Sequence, residues 1–205
     1  MLSIDDHIII QFRSTARGTL FFTEDFISFG TAKAVSKVLE RLSNSGVVSR
    51  VARGIYADLE TDPILGIIKP GADAIAVAIS RRDRARIIPT GAIALNALGL
   101  STQVPMNIVY LTDGAARKIT IGKRKIIFKK TAPKNLAAIG DISKIAIQAL
   151  KEIGKDNLSE QEERIILQHV AKEDPLRLEH DISLAPEWIR IILRKALNKS
   201  NDQVA

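Results

Sequence analysis

From Gly30 to Ala57 the chain reads GTAKAVSKVLERLSNSGVVSRVARGIYA. Ala32, Val35, Val38, Leu39 and Leu42 fall on one stripe of a helix running from about Thr31 to Asn44. The opposite face carries Lys33, Ser36, Lys37, Glu40 and Arg41. Gly46 can adopt the left-handed conformation that closes a helix. The β-prone runs VVSRV and GIYA follow, and their link Ala52-Arg53-Gly54 is short enough for a hairpin. Helix and hairpin thus both turn cations to water.

Two further helices are expected upstream. Ser3 with Asp6 forms a capping pair. Ile8, Phe12 and Thr15 or Ala16 recur at helical spacing, with Gly18 as a stop. Thr23 caps a short second helix with Glu24 and Asp25 in its first turn, where carboxylates suit the dipole. Phe26 points that helix into the core and Gly30 ends it. Three helices and a hairpin in under sixty residues predict a winged helix-turn-helix over residues 1–58, with the third helix for recognition and the hairpin as wing. The helix suits a major groove, and Arg50 and Arg53 suit the flanking phosphates. A winged helix can equally serve protein contacts alone.

Aromatic placement supports a separate N-terminal unit. Phe12, Phe21, Phe22, Phe26 and Phe29 precede the recognition helix, and only Phe128 lies beyond it. A very small domain needs such side chains to build a core. Their scarcity elsewhere argues against single-strand binding, which uses aromatic platforms.

Asp58 to Pro63 reads as a short polar linker. A larger domain, residues 63–200, is expected after it. Its α/β core, about 63–134, comprises a helix ADAIAVAISRRDRA, a strand RIIPTG, a helix AIALNALG, a strand NIVYLTDG and a hairpin. In that hairpin Ile119, Ile121, Ile126 and Phe128 alternate with Lys118, Thr120, Lys125 and Lys129, and Gly122-Lys123-Arg124 is the turn. A helical tail, about 141–198, follows. Ser159 with Glu162 forms a capping box there, and Asp174-Pro175 and Pro186 fit helix starts. The residues after Lys199 are expected to fray. The predicted class is therefore mixed α+β.

The chain has 205 residues and a formal net charge of +7, and a sequence pI of about 9.7. That sign favours a polyanionic partner. The chain has no Cys, which excludes disulfides and thiolate chemistry. No apolar run is long enough to span a bilayer, and the acidic start MLSIDDHIII lacks a signal-peptide n-region, so a cytoplasmic location is expected. No Walker loop, G-x-G-x-x-G, H-E-x-x-H or G-x-S-x-G is present, so neither a cofactor nor a metal is expected. His7, His169 and His180 are dispersed. Asp83, Asp113 and Asp141 have no spacing that suggests a nuclease cluster, and Glu152, Glu162, Glu163 and Glu179 read as helix faces. Two basic constellations remain. One is SRRDRAR, with Arg81, Arg82, Arg84 and Arg86. The other is ARKITIGKRKIIFKK, with Arg117, Lys118, Lys123, Arg124, Lys125, Lys129 and Lys130. Either can meet phosphates or an acidic protein surface.

RGTLFFTEDFISFGTAKAVSKVLERLSNSGVVSRVARGIYA, followed by RRDRARIIPTGAIALNALGLSTQVPMNIVYLTDGAARKITIGKRKIIFKKTAPK, resembles the AbiEi-type antitoxins of bacterial abortive-infection toxin–antitoxin pairs. The likeness runs from about Arg17 to Lys134. It implies a non-enzymatic transcriptional repressor whose winged helix binds double-stranded DNA, as inverted or direct repeats in its own promoter, with pairing of copies on the DNA. It also implies a C-terminal domain that counters a cognate nucleotidyltransferase-like toxin. Carried over by position, Thr31, Lys33, Ser36 and Lys37 are helix contacts, and Arg50 and Arg53 are wing contacts; Arg41, on the same helix, is a further DNA-binding candidate. Arg117, Lys118, Lys123, Arg124, Lys125 and Lys129 are candidates for toxin or flanking DNA. Two alternatives stay open: a winged-helix regulator with a ligand-sensing second domain, and a metal-dependent nuclease with a DNA-targeting head.

Overall fold

A computed structural model of the chain describes residues 2–201. The architecture is mixed α and β, with small sheets. Two compact units are present: residues 1–79 with 119–122, and residues 80–118 with 123–205. Part of the tail expected to fray, from Asp202 on, lies outside the described residues.

The first unit opens with α1 (Ile4–Arg13), capped by Ser3 and Asp6 in a reciprocal box. The helix stops short of Gly18. Ser14 Oγ donates to the Gln11 carbonyl at 3.0 Å and Thr15 Oγ1 to that of Phe12 at 3.1 Å, satisfying the last turn with side chains. Strand β1 (Phe21–Phe22) follows. The expected second helix is a 3-10 helix, Thr23–Phe29. Its cap position is Phe22 rather than Thr23, and the Phe22 N–H donates to Asp25 Oδ2 at 2.7 Å.

Helix α2 (Ala32–Asn44) is capped by Thr31, whose hydroxyl accepts from the Ala34 N–H at 3.3 Å. Val35, Val38, Leu39 and Leu42 are buried as the periodicity requires. Ala32, placed on the same stripe by spacing, is exposed. It sits in the first turn, whereas the buried residues of the stripe begin at Val35. Strands β2 (Ser49–Ala52) and β3 (Ile55–Ala57) form the hairpin, with Gly54 at φ 73° in its turn. Strand β1 pairs antiparallel with the other edge of β3, giving the order β1-β3-β2. The core joins Ile8, Val35, Leu39, Val48 and Tyr56 to the rings of Phe12, Phe21 and Phe26, whose centroids lie 4.8–5.5 Å apart. All of these residues fall within 8–56, so the aromatic cluster supplies this core.

The stretch read as a linker, Asp58 to Pro63, holds the first strand of a small hairpin, β4 (Thr61–Asp62), which pairs with β5 (Gly66–Ile67). Asp62 Oδ1 accepts from the N–H groups of Ile64 and Leu65 at 2.7 and 2.8 Å, which is the Asx turn that shapes its tip. Helix α3 (Ala72–Asp83) follows, and Arg84, at φ 51°, breaks it.

Beyond α3 come β6 (Ile87–Pro89), α4 (Ala92–Ala97), β7 (Asn107–Thr112), β8 (Arg117–Ile121) and β9 (Arg124–Lys130), all in the second unit except residues 119–121 of β8. The sheet order is β6-β7-β9-β8, with β6 antiparallel and β9 parallel to β7. Ile108 pairs with Ile126 and Tyr110 with Phe128. These four are buried on one face, as alternation predicts for Ile126 and Phe128. Helices α5 (Ser143–Ile153), α6 (Glu160–Val170), α7 (Pro175–Leu184) and α8 (Glu187–Asn201) close the chain around a second core that includes Ala146, Leu150, Ile166, Ile189 and Leu193. Ser159 and Glu162 form the expected box, and Asp174 with Pro175 starts α7.

The start of α5 is held from outside that helix. Asp181 on α7 is fully buried and accepts from Ile139 N–H at 2.8 Å, Gly140 N–H at 2.9 Å, and the Ser143 hydroxyl. Glu173 accepts from the N–H groups of Ile142 and Ser143 at 2.6 and 3.1 Å. Gly140 permits this approach: a Cβ there would lie 2.2 Å from Ser143 Oγ.

Candidate nucleic-acid interface

In the first unit, Lys33, Ser36 and Lys37 are exposed on α2 opposite its buried stripe. Their spacing of three and four residues makes them neighbours on one helical face. Thr31 is exposed and its hydroxyl is engaged as the helix cap. Arg41 is exposed but tied to Asp5 of α1 by an ion pair. Arg50 on β2 and Arg53 in the turn are both exposed. The head as a whole is barely basic: residues 1–58 carry seven Lys and Arg against six Asp and Glu.

The charge surplus lies elsewhere. Residues 80–134 hold twelve Lys and Arg against two acids, Asp83 and Asp113. Both acids are engaged locally. Asp83 pairs with Arg82 and Arg117. Asp113 accepts from the backbone N–H and Nε of Arg86, each at 2.8 Å. Those bonds hold the Asp113 carboxyl below its ordinary value of 3.8. Lys118, Lys123, Arg124, Lys125 and Lys129 are all exposed. Arg117 differs from those five. It is partly buried, with its guanidinium 5.7 Å from the Phe128 ring centroid and paired to Asp83. Burial lowers its pKa from the ordinary guanidinium value. These interactions bind the start of β8 to the end of α3, a structural role that residue spacing did not reveal.

Two more of the dispersed carboxylates are engaged in ion pairs. Asp141 pairs with Lys144 at 2.6 Å and Arg177 at 3.6 Å. Glu163 pairs with Lys195 at 2.6 Å. Among the described residues no group of three or more His, Cys, Asp or Glu is arranged to hold a metal ion. His180 Nδ1 lies 2.9 Å from Asp181 Oδ1, within the network that caps α5. No helix among the described residues is long and apolar enough to cross a membrane.

A family model described as "Family of unknown function (DUF6088)" matches residues 7–178. The chain belongs to that family. The match begins in α1 and ends in α7, so it takes in most of the head, the basic sheet and Glu173, and it stops three residues before Asp181. No curated protein matches the chain.

Proposed function

We propose that this protein is an antitoxin and autorepressor whose head is a winged helix-turn-helix that binds repeats in the operon's promoter. In this reading α2 is the recognition helix and the β2–β3 hairpin the wing. The observation that carries the proposal is the solvent face of α2, where Lys33, Ser36 and Lys37 stand clear of the core while Arg50 and Arg53 project from the hairpin. The order α1, β1, short helix, α2, β2, β3 supports it, because a helix presented beside a two-stranded ribbon suits a groove and its bordering phosphates. The second unit would counter a nucleotidyltransferase-like toxin. Support for that part is the likeness of RIIPTGAIALNALGLSTQVP and VYLTDG to the antitoxin sequences.

The test is DNA binding over a range of salt. Lys33, Lys37, Arg50 and Arg53 are all exposed, so replacing them together by Ala leaves the core untouched. Affinity for the upstream DNA should fall, and the slope of log K against log salt should flatten by about 0.9 for each phosphate that is no longer neutralised. Ser36→Ala should change sequence preference more than salt dependence. Unchanged binding by the quadruple variant would refute the assignment of the interface.

A further inference from the structure

The tip of the β4–β5 hairpin is apolar and turned outward. Ile64 is 92% exposed, Leu65 80%, Ile67 54% and Ile68 46%. Four large aliphatic side chains in five residues, in water, form the kind of contiguous patch that marks a contact surface. At the base of the same hairpin lies a cavity of about 160 Å³, lined by Arg17, Leu59, Glu60, Ile68, Lys69 and Pro70 among others. It is small for a metabolite, since such pockets run from about 300 Å³ upward. It is the right size for one aliphatic side chain: a cavity of about 150 Å³ takes up benzene.

We propose that the hairpin is a self-association surface, with Leu65 at the tip of one copy seated as a knob in the basal cavity of a second copy. Knob and hole on one element are self-complementary under a two-fold axis, where each copy gives what the other receives. Charge agrees with the match. Asp62 stands beside the knob, and Arg17 and Lys69 outnumber Glu60 around the hole. The strands are only two residues long, so side chains rather than edge-to-edge backbone pairing carry the association. This inference concerns the first unit alone and stands whether or not the head binds DNA.

The experiment uses the full chain. Sedimentation equilibrium should show a reversible monomer–dimer equilibrium. Leu65→Asp should abolish the dimer with an unchanged thermal melt, because that side chain belongs to no core. The chain has no Cys, so introduced thiols are the sole ones. Leu65→Cys mixed with Leu59→Cys should give an intermolecular disulfide under mild oxidation, while Leu65→Cys by itself should give none. A chain that stays monomeric at every concentration overturns the proposal. So does a dimer indifferent to Leu65→Asp, or a Leu65→Cys variant that links to itself and not to the Leu59→Cys partner.

Discussion

Replacing Asp181 should cost more than any surface change in this protein, and the isosteric Asn should spare little of that cost. The carboxylate is 0% exposed. It accepts from two backbone N–H groups and a hydroxyl, and His180 Nδ1 lies 2.9 Å from Oδ1, the oxygen that also accepts from Ile139. Asp181→Ala strands the Gly140 N–H and the Ser143 hydroxyl in the interior, each a loss of about 1–3 kcal/mol, so about 3–5 kcal/mol together with the Ile139 bond. Asp181→Asn keeps one acceptor oxygen but turns an NH2 toward groups that can only donate or must reorient, and should cost about 2–3 kcal/mol. Trp188 is the sole Trp and packs against the helical core that α7 helps to form. Its fluorescence during urea unfolding therefore reports the unit concerned. With a slope of about 1–3 kcal/mol per molar, the midpoint for the Ala variant should fall by roughly 1–5 M. An Asn variant within about 0.5 kcal/mol of the parent, the ordinary range of surface changes, would show that acceptor count is not what holds α5 in place.

Double replacement of Lys123 and Arg124 by Glu should leave the melt nearly unchanged, since exposed charges at a turn contribute little to stability. Under the proposed function, reversed charge repels where it formerly attracted, so the variant should damage repression or protection from the toxin far more than the other; wild-type levels of both would make the β8–β9 turn a merely solvated surface. Acid should expose the Asp113–Arg86 pair. The folded pKa of Asp113 is depressed, so its contribution is present above the unfolded value of about 3.8 and is lost as pH falls through the folded one. Asp113→Asn should therefore give a shallower loss of stability on acidification than the parent, and equal slopes would assign that loss to other carboxylates.

Where structure is local, residue patterns are informative. The capping pairs at Ser3 and Ser159, the buried stripe of α2, and the alternation of Ile126 and Phe128 each follow from residues within one element. Three features escape such patterns because their causes are distant in sequence. Strand β1 exists because β3, more than thirty residues later, pairs with it. The first turn of α5 has no local cap, and the carboxylates that supply one come from Glu173 and Asp181. Arg117 reads as one more cation in a basic run until the fold brings Asp83 and Phe128 to it. The β4–β5 hairpin is hidden for another reason. Its strands are too short to show a period, and the signal that is present, Asp62 two residues before the apolar tip, reads equally well as a polar connection. For the candidate interface, helical spacing and the hairpin pattern point to the exposed cations of α2 and the β2–β3 turn, but not to the ion pair that occupies Arg41.

The order β6-β7-β9-β8 has a consequence for the chain as it is made. Strand β9 is the last of the four to be synthesised, yet it lies between two that precede it. Until it emerges, β7 and β8 each present an open edge to whatever extended segment is nearby, including another nascent copy. Only Gly122 and Lys123 separate β8 from β9. At about 5–20 residues per second, β9 is complete within about two seconds of β8. The brevity of that turn thus limits how long the gap in the sheet stays open on the ribosome, and lengthening it with a flexible insert should raise aggregation during synthesis far more than it lowers the stability of the finished protein.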